Sequence, residues 1–93
     1  MLQHELTDPE TGVSVQVGGD PLQVSGDEQL RARVGAYLTG PIEVLVGGVD
    51  ESTGERSTRV ELVQPGQEQW LEACLDRAAS DLGLYHHRRL TKQ

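Results

Sequence analysis

The stretch Asp8-Pro9-Glu10-Thr11-Gly12 decides the fold, because its pattern returns later in the chain as Asp50-Glu51-Ser52-Thr53-Gly54. Each copy has Asp, Thr and Gly at the same spacing. Asp initiates turns by accepting backbone hydrogen bonds, and Gly supplies the positive φ that closes a hairpin of this length. An alternating strand and then an amphipathic segment follow each copy. The sequence therefore predicts two consecutive β-hairpin–helix units.

The two amphipathic segments predict the helices. A capping box at Ser25-Gly26-Asp27-Glu28, with the serine hydroxyl as the cap, predicts where the first helix begins, and Gly40-Pro41 predicts where it ends. Apolar residues at helical spacing from Trp70 to Leu82 predict the second helix. Gly83 is predicted as its left-handed C-cap.

These elements predict an α+β fold of ββαββα order, in which two helices pack on one face of a four-stranded sheet to give a two-layer sandwich. The segment 42–46 is almost wholly apolar, which predicts a central strand buried on both faces. A right-handed crossover through the first helix would set it parallel to the strand 13–17, so the sheet is expected to be mixed. In the last strand, Val60 and Leu62 are expected to face the core, with Arg59 and Glu61 in solvent.

Length and composition predict one small domain, residues 1–84, followed by a basic and flexible tail, residues 85–93. The chain has 93 residues, no Phe, one Trp and two Tyr, so the core must consist mostly of Val and Leu. A core of this kind leaves little stability margin in so short a chain. A homodimer, in which a second copy adds buried surface, is therefore an open possibility.

The charge is divided unevenly along the chain. Residues 1–84 hold all fifteen acidic residues and five of the eight Lys and Arg residues, whereas the last nine residues hold the other three bases and no acid. Two interpretations are open: the tail lies across its own acidic body, or it binds a partner. The candidate partner-binding residues are Tyr85, His86, His87, Arg88, Arg89 and Lys92, since Arg pairs with carboxylate or phosphate and Tyr offers a stacking face.

The side chains that could carry chemistry predict no catalytic, cofactor-binding or metal site. Cys74 lies on the apolar stripe of the second helix, which predicts a buried core thiol. His86 and His87 are adjacent and point apart, without a ligand at the usual spacing. His4 alternates with Leu2 and Leu6, so it is expected to cap the edge of the core. The acidic turns lack the remaining ligands of a calcium loop.

These observations favour a non-enzyme: a small protein–protein interaction module, an accessory or inhibitor protein that binds through its sheet face, a strand edge or its tail. A single cysteine, no long apolar segment and seven Arg to one Lys indicate a bacterial cytoplasmic protein. The alternative is a regulator of a nucleic-acid-binding system, acting through the basic tail or by acidic DNA mimicry. An enzyme or small-molecule carrier, with a cleft between sheet and helices, is the third possibility.

Overall fold

The structure, a computed structural model, has six strands and two helices among the residues that it describes. It describes residues 2–19 and 21–90. The strands are β1 Leu2–Thr7, β2 Ser14–Gly18, β3 Gln23–Gly26, β4 Ile42–Val49, β5 Arg56–Val63 and β6 Tyr85–Leu90, and the helices are α1 Glu28–Gly35 and α2 Glu68–Leu82. The predicted α+β class is confirmed.

The two copies of the turn motif fold in the same way. In the first copy, Asp8 Oδ1 accepts from the N–H of Glu10 at 2.9 Å, and the Asp8 carbonyl accepts from the N–H of Gly12 at 2.8 Å. The second copy repeats both contacts at 2.9 and 2.7 Å with Asp50 as acceptor. Gly12 and Gly54 have φ of 78° and 73°. The predicted hairpins are confirmed, since the motif joins β1 to β2 and β4 to β5 in antiparallel pairs.

The arrangement of the strands differs from the prediction. One sheet has four strands in the order β3-β2-β1-β6, and every neighbouring pair in it is antiparallel. Strands β4 and β5 form a separate two-stranded sheet. The predicted mixed sheet is therefore wrong. A short connection lets β3 pair back onto β2 at little loop-closure cost, and β6 takes the other edge beside β1, so β4 has no place in this sheet.

Strand β6 corrects the prediction that residues 85–93 form a tail without regular structure. It pairs with the whole of β1, and His4 lies opposite Arg88 while Leu6 lies opposite His86. Strand β6 consists mostly of polar residues, so it lacks the apolar alternation that normally marks a strand in the sequence. Its backbone pairing with β1 and its contacts with α2 identify it as a strand of the sheet. Residues 91–93, and with them Lys92, lie outside the described residues.

The core joins one face of the four-stranded sheet to both helices. Leu6, Val15 and Val17 point to this face from β1 and β2 and have no exposed surface. They belong to one apolar cluster with the buried side chains of the helices and their flanks, namely Leu30, Val34, Val63, Trp70, Leu71, Cys74, Leu75, Ala78, Ala79 and Leu84. The small residues of α2 allow it to lie close to the sheet.

The helix ends follow the sequence signals with one correction. Asp27, rather than the predicted Ser25, is the N-cap of α1, because its Oδ2 accepts from the N–H of Leu30 at 2.9 Å while Ser25 belongs to β3. The C-cap of α2 is confirmed: Gly83 has φ 68° and ψ 39°. The N–H of Leu84 then donates to the Ala79 carbonyl at 2.8 Å, which satisfies a carbonyl at the helix end.

The β4–β5 hairpin extends from the rest of the molecule. Outside the hairpin, its main packing is between β4 and α2, and the Trp70 indole N–H donates to the Gly40 carbonyl at 2.7 Å beside the start of β4. The radius of gyration is 15.4 Å and the longest dimension is 50 Å, whereas a compact domain of this length has a radius of about 12 Å. Strands of eight residues reach about 27 Å, so the hairpin accounts for much of this elongation.

The exposure of the hairpin reverses the predicted faces. Leu45, in the segment predicted to be buried on both faces, is 78% exposed, and Val60 and Leu62, predicted to face the core, are both 58% exposed. Of the two residues predicted to lie in solvent, Arg59 is exposed as predicted and Glu61 is half-buried. In a sheet of only two strands, the helix packs on a single face, so alternate apolar residues of both strands remain largely exposed in the part of the chain that the structure describes.

The glycines of the two turns predict a stability difference. We expect Gly12→Ala and Gly54→Ala each to lower the free energy of unfolding by about 1–2 kcal/mol, because a Cβ strains a left-handed backbone. The matched control is Gly35→Ala at the end of α1, where an added Cβ meets no atom within 4 Å and alanine is expected to be neutral or stabilising. Urea denaturation of the three variants measures this, and equal effects at all three sites would contradict the strain argument.

The hydrogen bonds in the turn between β4 and β5 predict that the stability of the protein depends on pH. Hydrogen bonds from the Ser52 hydroxyl and backbone N–H lower the pKa of Asp50 below its ordinary value of 3.8. The stability that Asp50 contributes is therefore present above pH 3.8 and lost as the pH falls through the lower folded value. We expect Ser52→Ala to raise the pKa of Asp50 in a carboxyl-carbon NMR titration. Ser57→Ala, in the same hairpin, serves as the control and should leave that titration unchanged.

Candidate functional site

Strand β6 divides the predicted partner-binding residues between two faces of the sheet. Tyr85, His87 and Arg89 lie on the open face. His86 and Arg88 lie on the face that packs against α2, where they contact acidic side chains of that helix. Lys92 is outside the described residues. Five of the six predicted residues are thus divided between two faces, three on the open face and two on the covered face. The two on the covered face, His86 and Arg88, belong to a polar cluster that the sequence analysis did not identify.

The cluster is built on an acidic row along α2. Glu68, Glu72 and Asp76 follow one another at four-residue intervals, which places them above each other on one side of the helix. The helix lies against β1 and β6 at this side, so His4 of β1 and both inward side chains of β6 meet the row. We call these six residues the His–carboxylate cluster: His4, Glu68, Glu72, Asp76, His86 and Arg88.

His4 lies at the centre of the cluster with no exposed surface. Its Nε2 lies 2.7 Å from Glu68 Oε1, and its Nδ1 lies 2.9 Å from His86 Nε2. The second ring continues the chain, because His86 Nδ1 lies 2.7 Å from Asp76 Oδ1. Burial at the core edge agrees with the prediction for His4, but the structure adds a continuous path of contacts from Glu68 to Asp76 that the sequence analysis did not foresee.

Proton counting constrains this path. The three contacts are all hydrogen bonds only when the two imidazoles together carry three N–H groups, because both carboxylates accept and one ring must donate to the other. Two neutral imidazoles carry two such groups. With two neutral rings, only two of the three contacts are hydrogen bonds, so the tautomers of His4 and His86 decide which two they are.

Arg88 supplies a permanent positive charge to the cluster. Its guanidinium donates to Glu72 and, through Nη2, to Asp76 Oδ1 at 3.1 Å. The hydrogen bond with Glu72 is the main cause that raises the pKa of Arg88, and the carboxylate charges add to it. Arg89, on the opposite face, is 70% exposed and lies 3.8 Å from Glu5. The two arginines are thus neighbours in sequence with different environments.

Two groups within the cluster have ligand types that metal ions use: His4 with Glu68 and Glu72, and Glu72 with Asp76 and His86. Within each group the candidate ligand atoms lie within 4.8 Å of one another. Each of these residues is in hydrogen-bond contact, through a ring nitrogen or a carboxylate oxygen, with another member of the cluster, and the partner of Glu72 is Arg88. The geometry is that of a polar network satisfied by its own members, which fixes α2 against β1 and β6.

A second surface feature is the face of the β4–β5 hairpin that points away from α2. The paired residues of this face run from the start of the hairpin to its turn as Glu43–Leu62, Leu45–Val60, Gly47–Thr58 and Val49–Arg56. We call this set of eight residues the outer face. Leu45 is 78% exposed, Val49 62%, and Val60 and Leu62 58% each. These four apolar side chains lie on one side of a two-stranded sheet and are mostly exposed: Leu45, Val60 and Leu62 occupy adjacent rows, and Val49 lies beyond the row of Gly47 and Thr58.

The remaining candidate groups contribute to the structure of the core and its edge. Cys74 is buried, as predicted, and burial raises the pKa of its thiol, which disfavours the reactive thiolate. The Tyr37 hydroxyl donates to Asp81 Oδ2 at 2.9 Å, and this hydrogen bond raises the pKa of Tyr37. That contact ties the end of α1 to the last turn of α2.

Comparison with known proteins does not place this chain in a family. No protein-family model, curated protein or solved structure matches this chain. Among the described residues, no helix is long and apolar enough to cross a membrane.

The two arginines of β6 provide a test of the His–carboxylate cluster. We expect Arg88→Ala to lower the free energy of unfolding by about 1 kcal/mol, since it leaves Glu72 and Asp76 with less compensating charge, and Arg89→Ala to change it by less than about 0.5 kcal/mol. The effect expected for Arg88→Ala is only about 1 kcal/mol because solvent screens the charge of a partly exposed side chain. Urea denaturation at low salt and in about 1 M NaCl should show a smaller difference between the variants at high salt. Equal effects of both substitutions would contradict a stabilising role for the cluster.

Proposed function

We propose that this chain is a protein–protein interaction module and that the outer face of the β4–β5 hairpin is its binding surface. The observation that carries the proposal is the group of four apolar side chains, Leu45, Val49, Val60 and Leu62, which are 58 to 78% exposed on one face. Single exposed apolar residues are common on proteins, but a contiguous apolar patch marks a surface that associates.

The construction of the hairpin supports this proposal. A two-stranded sheet is marginally stable in water by itself, and here only the inner face has a helix beside it. The strands nevertheless carry Val and Leu at outer positions where polar residues would be the ordinary choice. Full burial of a Val or Leu side chain is favourable by about 1.5–3 kcal/mol. Partial burial of four such side chains against a partner therefore contributes substantially to the free energy of binding.

The C-terminal residues give less support to partner binding. Arg88 and His86 contact carboxylates of α2, and Arg89 lies near Glu5. These contacts fit the interpretation in which the basic segment lies across its own acidic body. For the same reason, the alternative of phosphate binding through the basic segment has weaker support than the hairpin surface, because a nucleic acid would compete with these carboxylates. A role as an accessory or inhibitor protein in a bacterial cytoplasm stays a prediction from the sequence.

Site-specific photo-crosslinking tests the proposed surface. A photo-reactive amino acid at position 45 should form covalent adducts with a protein chain when the variant is irradiated in a lysate of its source organism. The matched control places the same group at position 90, because Leu90 is 83% exposed but lies at the end of β6, outside the hairpin. Adducts at position 45 that exceed those at position 90 support the proposal. Equal labelling at both positions, or none at position 45, would show that the outer face is not a binding surface.

A further inference from the structure

The outer face alternates in size along the hairpin, and this alternation indicates what fits against it. On β4, the bulky Leu45 of the second row is followed by Gly47 in the third row, whereas Val60 and Thr58 beside them on β5 are close to each other in volume. A Cβ built on Gly47 would meet no atom within 4 Å. The face therefore has a ridge beside a depression, and the two lie next to each other around the middle of the hairpin.

The charges of the outer face lie at its two ends and have opposite signs. Glu43 is in the first row, at the start of the hairpin, and Arg56 is in the last row, at the turn. Both are exposed, and among the described residues neither forms an ion pair. The outer face thus carries an acid at one end, a base at the other and apolar residues between them. Two copies of this face have complementary charges when one is turned end to end relative to the other.

We propose that the partner of the outer face is a second copy of this chain, packed face to face in the antiparallel sense about a two-fold axis; the proposal rests on the proposed function of this surface. The axis crosses the strands between the second and third rows. Leu45 of each copy then lies over Gly47 of the other, and Val60 lies over Thr58. The large Leu45 thus meets Gly47 on both sides of the axis, and a large side chain opposite a small residue allows close packing between layers.

The same symmetry brings Glu43 of each copy to the end that carries Arg56 of the other, so that two pairs of opposite charge flank the apolar centre. In the other face-to-face arrangement, with turn beside turn, β4 of each copy would lie over β5 of the other. Leu45 would then meet Val60, Gly47 would meet Thr58, and like charges would share each end. Size and charge therefore select the same arrangement. An isologous contact of this kind is closed, so it produces a dimer and not a filament.

The size of the outer face predicts the strength of the dimer. Two strands of eight residues cover roughly 300 Å² on one face, below the approximately 800 Å² per partner of a stable interface. We therefore expect a reversible dimer with a Kd on the order of micromolar or weaker. The net charge of −7 on each copy adds repulsion that salt screens, so the measurement belongs at physiological ionic strength.

Sedimentation equilibrium of the full chain over a range of concentrations is the direct test, and Gly47→Gln is the decisive variant. We expect the wild type to dimerise and Gly47→Gln to weaken dimerisation by at least roughly tenfold, because the new side chain fills the depression that receives Leu45. Gly48→Gln is the matched control: an added Cβ there also meets no atom within 4 Å, but Gly48 points to the opposite face and should leave the dimer unchanged. Circular dichroism checks that both variants are folded.

Charge reversal tests the antiparallel orientation independently. Glu43→Arg or Arg56→Glu alone should weaken the dimer roughly tenfold, since each change turns two attractive pairs into repulsive ones. The double variant restores opposite charges at both ends and should return the Kd to within about threefold of the wild type. A monomer at every concentration, a dimer that is indifferent to Gly47→Gln, or a double variant as weak as the singles would each overturn the inference.

These results are separable from the test of the proposed function. Crosslinks at position 45 between two copies of this chain, together with a concentration-dependent dimer, support both proposals. Crosslinks at position 45 to a different protein, with a monomer by sedimentation, overturn the second copy as the partner and leave the outer face as the binding surface. A dimer that tolerates the Gly47 and charge variants, with no preference for crosslinking at position 45, overturns both.

Discussion

The antiparallel pairing of β1 with β6 is the constraint on which the rest of the structure depends. It joins the first strand of the chain to the last and places His86 and Arg88 on the covered face beside His4. The acidic row of α2 packs against that face, so the helix is held by polar contacts at its edge and by apolar contacts at its centre. Because the buried His4 side chain needs partners for both ring nitrogens, displacement of β6 would leave a buried polar group unpaired as well as an open strand edge.

The same pairing explains why the hairpin β4–β5 stands apart. Strand β6 takes one edge of the four-stranded sheet and β3 takes the other, so the second hairpin has no edge of this sheet to join. Its inner face contacts α2 and its outer face has no protein neighbour among the described residues. The exposed Leu45 and Val60 are thus a consequence of topology. A fold in which other strands occupy both edges of the main sheet leaves the second hairpin outside it, and apolar side chains that remain exposed there favour burial against a partner.

Local signals predicted local structure well. The turn motif predicted both hairpins, and the apolar spacing around Trp70 predicted α2 with Gly83 as its C-cap, because turn chemistry and helical periodicity depend on residues a few positions apart. The pairing partners could not be predicted, since they depend on competition between distant segments for sheet edges. Strand β6 was missed because His86 and Arg88 face a charged helix, where polar side chains replace the apolar alternation. The spacing of Glu68, Glu72 and Asp76 was visible in the sequence, but its partners on β1 and β6 became identifiable only with the fold.

The two hairpins share one turn chemistry and differ in their surroundings, and the proposed binding surface rests on this difference. The first hairpin has strands on both of its edges and helices on one face, so its valines Val15 and Val17 are fully buried. The second has the same turn and similarly apolar strands, yet Leu45 and Val60 remain exposed. Since the turns are alike and the neighbours are not, burial of the exposed apolar side chains would come from association with another protein surface. The proposed contact with a second copy rests on Leu45 beside Gly47 and on the opposite charges of Glu43 and Arg56 at the two ends of that face.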